Sequence, residues 1–416
     1  MDKREFLRAC GGVTVGTLLG ERALAQLAAL PPDLLAQEEA FWTELRSQYR
    51  MPSDRIDLEH GYYSRMATPV FDAFVEHART VNLDASHYMR NRQVADKQAA
   101  RTALAELAGC PIDELIVTRN TTESLDTVIA GFDWRAGDEA VMAEQDYGAM
   151  LDQFALMARR HGIENRIVSL PQDPRSDDEI VDLYRAAITE KTRLLMCCHL
   201  VNITGHVLPV RKIAAMAHER GVPVLVDGAH AFAQLEFTIP DLGCDYYGAS
   251  LHKWLGCPLG AGLLYVRKDR IGPLWPLFGD RGYADGDIRK LNHTGTHPAH
   301  TDLTIADAIA FHRTIGSARK EARLRWLQRY WTTKVRGQRG VAVYTPNDPL
   351  RTCAIATVGL DGWKPAELAK ALLERFRIWT VPIDYAGVHG VRVTPHCHTT
   401  TAELDALVAA LRELAG

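Results

Sequence analysis

Between residues 115 and 266 the chain repeats one alternation. "ELIVTRN" precedes "TTESLDTVIAGF", "EAVMAE" precedes "GAMLDQFALMARRHG", and "TRLLMCCHLVN" precedes "PVRKIAAMAHERG". Three more apolar runs follow, "VPVLVDGAHA", "CDYYGASLHK" and "GAGLLYVRK". The short runs are apolar almost throughout, whereas the longer segments are amphipathic. Such strands, alternating with such helices, predict an α/β fold with a largely parallel sheet covered on both faces. In parallel sheets of this kind chemistry gathers at the carboxyl ends of the strands. Each predicted strand ends in polar or aromatic residues beside a small one. These are Asn120-Thr121-Thr122, Asp146-Tyr147-Gly148, Asn202 with Gly205, Asp227-Gly228-Ala229-His230, and Ser250-Leu251-His252-Lys253. They are expected to converge on one crevice.

The flanking sequence reads differently. Residues 33–50 are helical in pattern, "LEHGYYSRMATP" at 58–69 is a loop, and 70–108 are mostly helical up to the stop at Gly109-Cys110-Pro111. From about Thr301 long helices run to about Lys334. Short strands follow near "CAIATVGL" and "VRVTP", with helices at 365–375 and 401–414. A chain of 416 residues suits one large and one small domain. The boundaries expected are a large domain over 66–300, a smaller α+β domain over 301–416, and an arm over 26–65 that packs with the small domain.

The first 25 residues have a basic start, a weakly apolar middle and Ala23-Leu24-Ala25 as a small-x-small cleavage site. "KREFLR" resembles a twin-arginine export signal with lysine in place of the first arginine. Residues 1–25 are therefore expected to direct the chain to the periplasm, with the cytoplasm as the alternative address. Arg8 so close before Cys10 argues against a lipoprotein cleavage site. No apolar run reaches the length of a membrane span. The net charge is -4 and no lysine or arginine block stands out, which argues against a nucleic-acid partner. The 8 cysteines are scattered and form no disulfide framework.

"GASLHKWLGCPLGAGLLYV" sets Lys253 among small and apolar residues, where a lysine is unusual. An amine with an ordinary pKa of about 10.4 becomes a nucleophile at neutral pH only through burial or a cationic neighbour. Lys253 has an apolar setting for the first and His252 for the second. A lysine that attacks carbonyls forms a Schiff base, and pyridoxal phosphate is the commonest bound aldehyde. That cofactor needs a carboxylate at its ring nitrogen, for which Asp227 fits. Its phosphate needs donors at a helix start and hydroxyls, for which Thr121, Thr122, Ser250 and His252 fit. Its ring needs a flat partner, for which Tyr147 is available. Asn202 and His230 are candidates at its 3-hydroxyl. Each residue alone has a plainer reading: Thr121 and Thr122 also suit a helix N-cap, and Asp227 a strand end.

Taken in order, "TRNTTESLD", "DYGA", "VNITG", "VDGAHA" and "SLHKWLGCPLGAGLLYV" resemble the class V aminotransferase family of pyridoxal-phosphate enzymes, in the branch of isopenicillin N epimerase. The resemblance runs from about residue 56 to the end. It implies the type I fold of these enzymes, with a mostly parallel seven-stranded sheet in the large domain. It implies Lys253 as the Schiff-base lysine, Asp227 as partner of the ring nitrogen and Tyr147 as the stacking ring. Asn202 and His230 would sit near the 3-hydroxyl, and Thr121, Thr122, Ser250 and His252 would hold the phosphate. Thr296 matches a threonine that reaches the neighbouring subunit's phosphate, which implies a homodimer with shared active sites. Arg392 matches an arginine that grips the substrate carboxylate, a task suited to its fork. Tyr62 and His297 are expected near the substrate. Glu59, in "EHGYYS", stands where relatives often carry asparagine.

These features predict an enzyme acting at the alpha or beta carbon of an amino acid or amino-acid-containing metabolite. A C–S or other beta-lyase and a non-catalytic cofactor binder are the alternatives. A cysteine desulfurase needs a mobile cysteine shortly before the arginine, and residues 354–391 contain none. Neither His293, His297 and His300 nor His396, Cys397 and His398 has the spacing of a closed zinc site, and no metal is expected. "GCPLGAG" precedes a strand instead of following one, so the dinucleotide-loop reading fails.

Overall fold

The computed structural model describes residues 27–416; the export signal expected at 1–25 lies outside them. After the short strand β1 (Ile56–Asp57) the chain runs through two helices, Thr68–Asn91 and Gln93–Ala108. The alternation then folds as its pattern predicts. It supplies β2 (Leu115–Thr118), β3 (Glu139–Ala143), β4 (Glu164–Val168), β5 (Thr192–Cys198), β6 (Val224–Asp227), β7 (Tyr246–Ser250) and β8 (Gly262–Val266). They form one seven-stranded sheet in the order β2-β8-β7-β6-β5-β3-β4.

The sheet is mostly parallel. β3 pairs parallel with β4 and β5, β5 with β6, and β6 with β7. β8 is the exception and runs antiparallel to β2 and β7. A parallel return needs a crossover of a dozen or more residues, usually with a helix. Residues 251–261 between β7 and β8 carry no helix, so the chain can only fold straight back. That tight return carries Lys253.

Alternate side chains of the strands feed two apolar layers. Leu194, Met196 and Leu225 pack with Val128 and Phe154 on one face. Leu195, Cys197, Val224 and Val226 pack with Tyr184 and Ile213 on the other. Burial on both faces is what the continuous apolar runs require.

Beyond residue 300 two long helices, Ala299–Ile315 and Ser317–Val335, lead into a second sheet. Its strands are β9 (Val341–Val343), β10 (Ala356–Leu360), β12 (Val381–Tyr385) and β13 (Val388–Val393), antiparallel in the order β12-β13-β10-β9. The two-residue β11 (Ile378–Trp379) pairs parallel with β1. Helices Pro365–Phe376 and Thr401–Ala415 complete this layer around a separate apolar cluster that includes Leu327, Trp331, Leu372 and Leu407. A capping box of Thr400 and Glu403 starts the last helix. Glu403 also accepts two hydrogen bonds from Arg46, and Glu59 bridges Thr394, so the segment before residue 65 is fastened to this layer.

Candidate active site

The carboxyl ends of the central strands open into one cavity. Its lining includes Thr121, Thr122, Tyr147, Asn202, Asp227, His230, Ser250, His252 and Lys253, together with Tyr62. Thus the strand-end residues singled out from the sequence meet in space. Local structure places each of them. Asn120 caps the helix Thr121–Gly131, its side chain accepting the Glu123 N–H at 2.9 Å. The cap is therefore Asn120, which leaves the two threonines facing the cavity. Ser250, the last residue of β7, accepts the Thr121 N–H at 2.9 Å and lies 2.7 Å from the Thr121 hydroxyl. One hydroxyl thereby ties the start of this helix to the strand that leads into Lys253.

Lys253 is half-buried and lines the cavity. Burial pushes its amine down to about 8, against the opposing pull of Asp227. Its Nζ lies 3.2 Å from Nε2 of His230, and Trp254 Nε1 donates to Nδ1 of the same ring at 3.4 Å. Burial holds His230 neutral. A neutral ring that accepts at Nδ1 carries its proton on Nε2. His230 then presents a donor to Lys253, which favours the free-base amine there.

Asp227, 4% exposed, ends β6 and accepts the Ala229 N–H at 2.9 Å. Burial raises its pKa, while this hydrogen bond and Lys253 pull it back. Asp146 is buried beside it and is pushed up to about 7 by burial. It is spent on structure, accepting the N–H groups of Ala143 and Cys198 and so pinning the turn that presents Tyr147. Tyr147 begins the helix Gly148–His161 and is 37% exposed, the openness a stacking ring needs. Asn202 Oδ1 and His252 Nδ1 are buried without a hydrogen-bond partner in the chain. Burial lowers His252 to about 4.

Three expected residues lie elsewhere. Thr296 is exposed on the loop before the helix Ala299–Ile315 and does not line the cavity. His297 is held 2.8 Å from Asp302, within a separate depression that also contains Lys97 and Arg101. Arg392 is fully buried in β13 and touches the cavity only through Tyr62 and Asn202. Sequence reasoning missed Tyr63, Met150, Cys198 and Leu200 in the lining. Tyr63 stacks on His252 with ring centroids 5.9 Å apart, and its place in the run "GYYS" next to Tyr62 was the available signal. The other three are apolar residues that look like ordinary core. His293 pairs with Asp280 and His300 packs on Phe74, so that histidine set faces separate partners. Among the described residues no group of three or more His, Cys, Asp or Glu side chains is arranged to hold a metal.

Known proteins resemble this chain in sequence and in fold. The isopenicillin N epimerase of Amycolatopsis lactamdurans is 31% identical over 392 residues, covering 90% of this chain and 98% of the relative. The apo structure of a cysteine desulfurase from Thermococcus onnurineus NA1 superposes with a TM-score of 0.79 at 20% identity, over 89% of this chain and 97% of that one. A mutant of C-DES with glycine covalently linked to its PLP cofactor superposes equally well, TM-score 0.79 at 23% identity, over 88% of this chain and 98% of that one. These two likenesses establish the fold. The family described as "Aminotransferase class-V" matches residues 65–400. From the matched span and the curated relative, the chain belongs to the class V aminotransferase family.

Proposed function

We propose that this protein is a pyridoxal-phosphate enzyme that acts at the alpha or beta carbon of an amino acid or amino-acid-containing metabolite, with Lys253 as the residue that carries the cofactor. The observation that supports this most is a half-buried lysine, lowered to about 8, within one cavity with a buried carboxylate and a helix start lined with hydroxyls. The residues fit the cofactor on further grounds. Two polar atoms, Asn202 Oδ1 and His252 Nδ1, are buried at the cavity with no partner of their own. Such atoms cost free energy unless something binds them.

When bound, pyridoxal phosphate withdraws electrons from the carbon that bears the substrate amine. The chain's own residues do the rest. Thr121, Thr122, Ser250 and His252 would hold the phosphate at the start of the helix Thr121–Gly131, where backbone N–H groups favour an anion. Asp227 would keep a proton on the ring nitrogen from its buried position. Tyr147 would cover one face of the ring. Asn202 and His230 would meet the 3-hydroxyl. The Lys253 amine would serve as the base that holds or returns a proton at the substrate carbon.

Two further readings rest on sequence. Thr296, exposed and outside its own cavity, suits a role at the cavity of a second copy in a homodimer with shared active sites. The export signal at residues 1–25 would carry the folded, loaded protein to the periplasm, and Arg4→Lys would then leave it in the cytoplasm by fractionation.

The test of the main reading is chemical. Borohydride reduction of the purified protein should leave a pyridoxyl group on the Lys253 peptide by mass spectrometry, and Lys253→Ala should be colourless. Solvent deuterium should enter the alpha carbon of a substrate. A protein that takes up no cofactor overturns the reading, and one that binds it yet exchanges no deuterium with any amino compound is a binder.

A further inference from the structure

Arg392 and Glu59 lie 333 residues apart in sequence and meet in a closed pair. Nη2 of Arg392 donates to Glu59 Oε1 at 2.8 Å and Nε donates to Oε2 at 3.2 Å. Nη1 donates to the Asn202 carbonyl at 3.1 Å. The ring of Tyr62, which lines the cavity, covers the guanidinium with its centroid 4.1 Å from Cζ. The guanidinium is therefore engaged along its edge by two acceptors and on one face by a ring.

Glu59 is fixed as firmly. The Tyr62 N–H donates to Oε1 at 2.8 Å, and Thr394 takes the N–H groups of His60 and Gly61 through its hydroxyl. A Cβ on Gly61 would stand 3.1 Å from both Arg392 Nη2 and Glu59 Oε1, so the turn passes the pair with no space to spare. The two side chains are 0% and 4% exposed. A pair taken this far out of water holds together because separating it would strand a buried charge.

The remaining charges of the cavity are few. Among its described lining residues the carboxylate and the amine are Asp227 and Lys253, both assigned to the cofactor, while His230 and His252 are held neutral by burial. Tyr62, Tyr63, Tyr147, Asn202, Met150 and Leu200 supply phenols, one amide and apolar surface. A free carboxylate bound in this cavity would find the Arg392 guanidinium, behind Tyr62 and Asn202, already bound to Glu59, whose charge would repel it. An uncharged carbonyl at the same place meets hydrogen-bonding phenols and an amide without that repulsion.

We propose that Glu59 sets the substrate class of this site: amines whose alpha carboxyl is masked as an amide, as in an amino-acid amide or a peptide-type conjugate. This rests on the proposed pyridoxal-phosphate chemistry at Lys253.

Matched probes test it. L-alanine, L-leucine and L-phenylalanine are titrated against their alpha-amides into the loaded protein, with Kd read from the cofactor's visible absorption and from calorimetry. Wild type should bind the amides at least about tenfold more tightly, the equivalent of one hydrogen bond to a charged group. Glu59→Gln, which keeps an acceptor for Arg392 and removes the charge, should tighten the acids by at least about tenfold. Glu59→Asp should keep the wild-type ranking. Acids bound as tightly as amides by wild type, or acid affinities untouched in folded Glu59→Gln, overturn the proposal. The wild-type comparison stands whether or not the variants fold. Borohydride trapping on the same samples separates the failures. A pyridoxyl-bearing Lys253 with no preference for amides sinks the substrate class alone, whereas an unmodified Lys253 sinks it along with the chemistry beneath it.

Discussion

Desolvation at the cavity wall outweighs the pull of Asp227 on Lys253, and that balance would set when the amine reacts. Its folded pKa is about 8, below the ordinary lysine value, and the reactive form is the neutral amine. Capture of pyridoxal phosphate by the apoprotein should therefore accelerate as pH rises through about 8 and level off above it, followed by stopped-flow absorbance. A rate flat from pH 7 to 9 would remove burial as the cause. Glu59 makes the opposite kind of residue-scale prediction. Glu59→Ala leaves Arg392 buried and unpaired, and should cost roughly 3–5 kcal/mol in urea unfolding. Adding Arg392→Met should recover much of that loss. The residues of the site that follow a strand were legible in sequence, because the end of a parallel strand has a known place in the fold. The Glu59–Arg392 pair was not, because nothing local relates residues 333 positions apart. Only the departure of Glu59 from its relatives' asparagine hinted at it.

Elements carry the next level of constraint. β8 passes so close to the start of the helix Thr121–Gly131 that a Cβ on Gly262 would stand 2.6 Å from the Asn120 nitrogen and 2.7 Å from its Cα. Backbone must move to admit it. Gly262→Ala should cost about 1–3 kcal/mol of stability. It should also weaken cofactor retention during dialysis, because the displaced helix start is the proposed phosphate site. Unchanged retention in the folded variant would argue that the phosphate is held elsewhere. The buried strands of the large sheet were readable from their apolar runs, and the helices between them from their period. β4 was not: four of its five side chains, Glu164 to Ile167, are exposed or half-buried at the sheet's edge, so "ENRIV" carries no apolar signal. β1 and β11 are two residues each, too short for any periodicity to mark. β12 alternates, but its proline and aspartate disguise an edge strand as a loop.

At the scale of the molecule, the seven-stranded sheet and the four-stranded one divide the proposed work. The cofactor residues hang from the first, while Glu59, Tyr62 and Arg392 hang from the second or are bonded to it. The exposed Thr296 belongs to neither cavity wall. If it serves a second copy, sedimentation should give a dimer. Thr296→Ala should then loosen the cofactor by about tenfold, one hydrogen bond to a charged group. A monomer with full cofactor affinity would count against sharing. Trp275, Phe278 and Leu259 are among the large apolar side chains left open to water. The turn at Gly61 also has a practical side. Glu59, His60 and Gly61 are tied to Thr394, whereas Tyr63 and Ser64 reach His252, one through its ring and the other through its carbonyl. The proposed choice of guest would then rest on residues 59–62, while Tyr63 and Ser64 lean on the proposed phosphate residue. A library confined to Tyr62, with Tyr63 and Ser64 kept, would vary the wall the guest meets while the contacts to His252 and the Glu59–Arg392 pair stay in place.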